Sequence, residues 1–399
     1  MDLFRQTRID ISLDQLQINL RALRQQVSAG TFFCPMIKSD AYGHGDRAVA
    51  QLLHDEGIRH IGVAFIEEGV RLRGYGFEAL EILVFSMFDR KGFEAIWDSH
   101  LVPVVSCWEQ LHVLKEFLRD KDRRQPIHLK FNTGMNRLGF RPDEAGQVRQ
   151  FCEGLPCVDV QGVCSHFLCG EDWGIESGYC EQQTKAFQPV LDAFPKVSYV
   201  HFHNSASLLA SGFEGASAFG ARPGIAFYGS VPTLFDKARD QRAHQFGIAE
   251  ALSVHTKVVQ THKLKSGESV SYGPIFKAKV PSQVVVLPIG YGDGLHRNLS
   301  NLGEVLVRGH RAPMVGRICM DYCMVDVTEV AKKTGSEIRV FEDVVLFGQQ
   351  QGQSLTILEQ AEKVDTIAYE FMTSLGLRLK RHYHSKPLAD LSQVKQSFV

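Results

Sequence analysis

Residues 32–65 read FFCPMIKSDAYGHGDRAVAQLLHDEGIRHIGVAF. An apolar run (32–38) passes through a glycine-rich turn into a stretch where apolar side chains return every three or four positions. A second apolar run (60–65) follows. The first spacing is that of a strand, the second that of an amphipathic helix. Neither strand alternates apolar with polar residues, so each is read as buried on both faces, as strands are in parallel sheets. Similar runs recur at EILVFS (81–86), LVPVVS (101–106), PIHLKF (126–131), CVDVQGVCSHF (157–167), VSYVHFHN (197–204) and GIAFYG (224–229). Helical spacing separates them, as in KGFEAIWDSH (91–100), WEQLHVLKEFLRD (108–120) and CEQQTKAFQPVLDAF (180–194). Eight apolar runs alternating with helices predict an α/β protein whose N-terminal part is an eight-stranded (β/α)8 TIM-type barrel. A helix, LDQLQINLRALRQQV (13–27), precedes the first stave.

Beyond about residue 245 the texture changes. Closely spaced β runs such as ALSVHTKVVQTHKL (251–264), SQVVVLPIGYG (282–292) and YCMVDVT (322–328) are broken by glycine. These predict a mostly-β C-terminal domain, an antiparallel barrel or sandwich, closed by a helical stretch at 357–376. The polar connector VPTLFDKARDQRAHQFG (231–247) places the boundary so that residues 1–240 form the barrel and 241–399 the β-rich domain.

The chain has 399 residues, with 44 Lys plus Arg against 45 Asp plus Glu and a formal net charge of −1. No global field draws it to nucleic acid or to an acidic membrane surface, so a small-molecule partner is expected. Nine cysteines occur without a C-x-x-C pair. Their scatter argues against a zinc framework or a disulfide scaffold and for reduced thiols. The N-terminal MDLFRQTRIDISLDQ has no continuous apolar h-region, and no apolar run reaches the length of a membrane span. A cytoplasmic protein is the expectation.

In such a barrel, chemistry gathers at the C-terminal ends of the strands. Lys38 follows the first run, Arg137 the fifth, His166 ends the sixth, and Asn204 and Ser205 follow the seventh. Arg222 precedes the eighth run, so its place depends on where that strand begins. Each residue alone is ordinary; a lone arginine pairs with surface acids and a lone histidine is satisfied in a core. Their convergence on one barrel mouth is what marks a site. His201 and His203 share one face of a strand, but no acidic or cysteine partner stands nearby, so no metal site is read there.

PMIKSDAYGHG (35–45), KFNTGMNRLGF (130–140), SHF (165–167), HNSAS (203–207), RPGIAFYG (222–229), VSYG (270–273), PIGYGDG (288–294) and GRICMDY (316–322) stand in the order and spacing of the alanine racemases. The sequence resembles that pyridoxal-phosphate family from about residue 8 to 384. The resemblance implies pyridoxal 5'-phosphate as cofactor and interconversion of L- and D-alanine by two bases acting on the aldimine. Lys38 would be the Schiff-base lysine and one catalytic base. Tyr272 would be the other, donated by the second subunit of a homodimer with shared active sites. Arg137 and Met320 would bind the substrate carboxylate, and Lys130 matches a lysine that is often carbamylated. Arg222 would contact the pyridine nitrogen, with His166 linking it toward Tyr272. Tyr42, Ser205, Gly224, Ile225 and Tyr369 would cradle the phosphate, and Asn204 belongs with the cofactor site. Supply of D-alanine for peptidoglycan is implied in turn.

Ser39 and Asp40 depart from the family pattern, as does the stretch Leu168–Asp172, and these leave substrate breadth open. The alternatives are a broad-specificity or serine-preferring racemase of the same fold, a barrel-type pyridoxal-phosphate decarboxylase, or a cofactor carrier. The decarboxylase does not need VSYG or GRICMDY, and the β-rich domain argues against a carrier. The glycines at 43 and 45 are read as shaping the turn, and His44 as structural.

Overall fold

The computed structural model describes residues 5–211, 219–231 and 247–385. The chain forms two compact units. One comprises Gln17–Ala41 with Gly45–Ile248, the other Met1–Leu16, Tyr42–His44 and Ala249–Val399. The predicted boundary at 240/241 lies outside the described residues. A strand that sequence patterning missed, β1 (Arg8–Ser12), belongs to the second unit, and a helix at Leu13–Arg24 follows it.

The first unit is built on seven parallel strands in sequential order: β2 (His60–Val63), β3 (Glu81–Val84), β4 (Val102–Val105), β5 (Gln125–Lys130), β6 (Val158–Cys164), β7 (Tyr199–His203) and β8 (Gly220–Ala221). β2 and β4 are buried along their whole length, as expected for strands covered on both faces. Residues 32–37 supply the eighth stave through bridges rather than a continuous ladder. Phe33 pairs with Ala221 on one side and Met36 with Gly62 on the other. Cys34 N donates to Ala221 O at 2.9 Å and Ile37 N to Gly62 O at 2.8 Å, closing the sheet into a barrel. Pro35 lacks an N–H and breaks the ladder locally, while its carbonyl still accepts from Gly62 N at 3.0 Å.

The eighth strand does not lie where the apolar run GIAFYG placed it. β8 ends at Ala221, and 224–229 is a chain of turns in which Phe227 N donates to Gly224 O and Tyr228 N to Ile225 O. Ile225, Ala226, Phe227 and Tyr228 are buried all the same. Burial made the run apolar, and apolarity alone does not distinguish a buried turn from a strand. Arg222 therefore follows the eighth stave directly and takes its place at the strand ends with the other candidates.

The second unit holds two sheets. β1 lies between β9 (Leu252–Lys257), to which it is antiparallel, and β17 (Lys380–His384), to which it is parallel. The same sheet continues from β9 through β15 (Asp343–Gln350) and β12 (Glu304–Val307) to β13 (His310–Pro313), with β16 (Gln353–Leu355) paired to β15. The other sheet has β11 (Ser282–Leu287) between β10 (Gln260–Leu264) and β14 (Cys323–Asp326). The helical stretch after residue 356 is two short helices, Ile357–Glu362 and Ala368–Ser374. Among the described residues no helix is long and apolar enough to cross a membrane.

Candidate active site

Lys38 stands where the first stave ends, and the backbone immediately reverses hand. Ser39, Asp40, Ala41 and Tyr42 have φ of 53°, 53°, 52° and 52°, a full left-handed turn of residues with side chains. Such a turn costs roughly 1–2 kcal/mol per residue, because Cβ crowds the following carbonyl oxygen. Gly43 and Gly45, at φ 79° and 90°, complete the reversal. A Cβ on Gly43 would lie 2.1 Å from Met372 O, so only glycine fits there. His44 is fully buried with Nδ1 3.0 Å from Tyr42 O, a structural placement.

The strand ends of the barrel unit bring Lys38, Lys130, Arg137, His166 and Arg222 into electrostatic reach of one another. Burial, then Arg137, lowers the Lys38 amine, and Glu68 opposes them. Burial, with Arg222, Arg137 and Lys38 nearby, pulls Lys130 down to about 8. His166 is held neutral by burial and by the same cations. Four cationic side chains in one pocket call for an anionic guest.

Arg222 is almost wholly buried and uses one edge of its fork on the barrel. Its Nη1 donates to His201 Nδ1 at 2.5 Å and His201 O at 2.8 Å; its Nη2 donates to Ser165 O at 2.7 Å and His166 Nδ1 at 3.1 Å. A guanidinium has only donors, so the nitrogens facing it accept. His166 therefore carries its proton on Nε2. His201 does likewise and donates through Nε2 to His128 Nδ1 at 2.7 Å. Both nitrogens of His201 are thereby committed to hydrogen bonds. His128 and Lys130 stand two apart on β5 and share its inner face, a juxtaposition that strand alternation alone could have revealed.

Ser205 Oγ accepts from Gly224 N at 2.9 Å and Ala226 N at 3.2 Å, placing a hydroxyl beside a backbone nest suited to an anion. Ile225 lies inside that nest and is buried. Asn204 is used on the scaffold. Its Oδ1 accepts from Ser207 N at 3.0 Å at the start of the helix Ser205–Ser211, and its Nδ2 donates to Phe167 O at 3.2 Å.

Two side chains that patterning did not find organise the mouth. Gln183, on the helix Tyr179–Ala186, donates to Thr133 Oγ1 at 2.9 Å and His166 O at 3.0 Å, and accepts from Leu168 N at 2.9 Å. It ties the Arg137 loop to the end of β6. Glu68 meets the chain just past Lys38. Both are polar residues on helices, and no local periodicity singles them out. The departure Leu168–Asp172 is also scaffold: Asp172 accepts from Tyr179 N at 2.5 Å and Cys180 N at 3.0 Å, capping that helix.

The other candidates lie in the second unit. Tyr272 is 74% exposed and Met320 54%. Their loops are joined, since Ser271 Oγ donates to Arg317 O at 2.6 Å. Gly292 N donates to Met320 O at 2.9 Å. Tyr42 and Tyr369, both proposed for the phosphate, have ring centroids 6.0 Å apart.

The alanine racemase N-terminal domain model matches residues 11–232, and the C-terminal domain model residues 251–383. The chain belongs to the alanine racemase family. It is 33% identical over 386 residues to the alanine racemase of Halothermothrix orenii, covering 96% of this chain and 98% of that one. Among solved structures, the alanine racemase of D-cycloserine-producing Streptomyces lavendulae superposes with a TM-score of 0.85 at 27% identity, covering 97% of this chain and 99% of that one. The Bartonella henselae alanine racemase with covalently bound pyridoxal phosphate gives 0.81 at 29% identity, covering 95% and 99%. Family membership spans both the barrel, which carries the cation cluster, and the β-rich part, which carries Tyr272 and Met320.

Proposed function

We propose that this protein is an alanine racemase that uses pyridoxal 5'-phosphate and works in the cytoplasm as a homodimer with shared active sites, supplying D-alanine for peptidoglycan. The observation that carries the reading is the convergence of Lys38, Lys130, Arg137, His166 and Arg222 on one barrel mouth, in a chain whose family match covers residues 11–232 and 251–383.

The residues present fit the cofactor. The cation cluster suits a group bearing phosphate and carboxylate charge; Ser205 Oγ accepts from the Gly224 and Ala226 amides, so its own hydroxyl proton, with the Ile225 amide between them, would donate to the phosphate. Ile225, Tyr42 and Tyr369 complete the proposed cradle, with Asn204 orienting Ser205 from the preceding position. When bound, pyridoxal phosphate supplies the electron sink that lets an amino acid release its α-proton.

The chain's own residues do the rest. Lys38, lowered by burial and Arg137, is a workable base near neutrality and takes or returns the proton on one face. Tyr272 serves the opposite face, because inversion needs a second proton handler. Its exposure fits a side chain that completes the partner subunit's site. Arg137 binds the substrate carboxylate, and the Met320 amide supports it. Lys130, at about 8, is neutral often enough near physiological pH to take up carbon dioxide as a carbamate, which would brace Arg137 with a negative charge. The Nη groups of Arg222 are committed to the barrel, which leaves Nε to donate to a pyridine nitrogen. Since arginine gives up no proton, Arg222 would hold a pyridine nitrogen there unprotonated, and the weaker electron withdrawal would favour quick return of the proton. His166, protonated on Nε2, is suited to link Arg222 toward the tyrosine.

The test is polarimetry with a panel of L- and D-amino acids, with and without added pyridoxal phosphate. Alanine turning over far faster than the rest is the expected result. Comparable rates with serine and longer side chains would replace it with the broad-specificity reading, and no racemisation at all would overturn both.

A further inference from the structure

Glu68 lies on the helix Ile66–Gly74, which follows β2. Its Oε1 accepts from Ser39 N, the residue after Lys38, at 2.6 Å. Its Oε2 accepts from Ala64 N at 2.8 Å and Phe65 N at 3.0 Å. One carboxylate thus ties together the ends of the first two staves and the start of the helix that follows the second. Three residues along the same helix, Arg71 pairs with Asp46 at 2.5 Å, and Asp46 N donates to Asp40 Oδ1 at 2.9 Å. Residues three apart share a helix face, so one face of this helix grips the left-handed turn at both ends. Ala41 N to Ile37 O at 3.0 Å and Gly45 N to Asp40 O at 2.9 Å are the turn's own hydrogen bonds. A backbone held in so unfavourable a region persists only where its surroundings over-determine it.

We propose that Glu68 is the positioning residue of Lys38: it pins the left-handed turn that aims the lysine, and it is the carboxylate that balances the cations around the amine. The proposal rests on the reading of Lys38 as the reactive amine. The charged groups acting at that amine are Glu68 from the helix Ile66–Gly74, Arg137 from the loop after β5, and Lys130 at the end of β5; half-buried His166 stands after β6. Asp40, two residues on, is engaged with Asp46. Three cations thus face the Glu68 carboxylate. Removing it weakens the support for the ammonium form of Lys38 and frees Ser39 N.

The experiment uses the full-length chain without added cofactor. The rate of Lys38 acylation by a small amine-reactive ester is followed by mass spectrometry from pH 6 to 10 in wild type, Glu68→Gln and Arg71→Leu. Loss of the carboxylate charge is expected to lower the labelling midpoint by about half a pH unit in Glu68→Gln, raising the rate at pH 8 about threefold. Arg71→Leu loosens the same turn while leaving Glu68 in place and should keep the wild-type midpoint. Glu68→Asp keeps the charge but withdraws it by one methylene, and should shift the midpoint the same way by less; it carries the test if Glu68→Gln does not fold. Wild-type midpoints in both Glu68 variants, or an equal shift in Arg71→Leu, would overturn the proposal. Borohydride trapping of pyridoxal phosphate on wild-type Lys38 is read separately. Its failure would sink the functional reading and leave the labelling result standing on its own.

Discussion

His128 Nδ1 lies 2.7 Å from His201 Nε2 inside the barrel, and the direction of that hydrogen bond is set by Arg222 on the far nitrogen of His201. The arginine can only donate, so His201 must donate onward and His128 must accept. One buried cation thus assigns the tautomers of two histidines in turn. Gly162 makes room for this pair, since a Cβ there would lie 2.2 Å from His128 Nδ1.

Replacing His128 with Leu leaves the His201 Nε2–H buried and unpaired. The cost is expected to be about 1 kcal/mol, because the penalty for the orphaned His201 donor, about 2 kcal/mol, is partly offset by removing the His128 Nε2–H, itself buried without a partner among the described residues. Urea unfolding of the variant at pH 7.5 measures it. A loss below half that value would mean that His201 re-pairs and that the relay is not specified.

The buried histidines make stability depend on acid. Burial pushes His128 and His203 down to about 3 and His255 to about 4, each well below the usual histidine value. A histidine with a lowered folded-state pKa binds protons more readily when unfolded. Its contribution to stability is therefore present above about pH 6.5 and is lost as pH falls from there toward 3 or 4. Each such group adds about 1.4 kcal/mol of loss per pH unit in that window. Unfolding at pH 7.5, 6.5 and 5.5 should show a steepening decline. Among the described residues His203 has no hydrogen bond on either nitrogen, so His203→Leu should be stabilising by about 1 kcal/mol at pH 7.5 and flatten the slope. An unchanged slope in that variant would place the titration elsewhere.

Purified protein loaded with pyridoxal phosphate should be yellow, and Lys38→Ala should lose that absorbance. Tyr272→Phe should keep the colour and lose most racemisation. Mixing the two inactive proteins under subunit exchange should restore about a quarter of wild-type activity, because a two-fold heterodimer carries one intact site in two. Heterodimers shown by mass spectrometry but without activity would mean that each site is complete within one chain.

Gln183→Leu should raise KM for alanine by about tenfold with a smaller change in kcat, since it frees the Arg137 loop from the end of β6. Steady-state kinetics at saturating cofactor gives the split. An equal fall in kcat with KM unchanged would assign Gln183 to the proton-transfer step instead.

Much of this architecture can be read from local pattern. A run such as VPVV is apolar throughout because helices cover one face of a barrel stave and the packed interior covers the other. The strand-end rule then locates Lys38, Arg137 and His166, since it needs only the order of strands. GIAFYG shows where pattern stops: a buried turn and a buried strand present the same composition. β1 shows it again, because its partners β9 and β17 lie some 240 and 370 residues away in sequence, and its own five residues do not reveal them.

What the sequence by itself determined is the alternation of staves and helices, the change of texture near residue 245, and which residue types stand at the strand ends. Only the tertiary structure decided that Arg222 follows the last stave, that four residues after Lys38 turn left-handed, and that Glu68 and Gln183 hold the mouth together. The physical reason is that burial and periodicity act between neighbours and leave a local imprint. Hydrogen bonds such as Glu68 to Ser39 or Gln183 to Thr133 join residues far apart in the chain, and nothing in a short window records them.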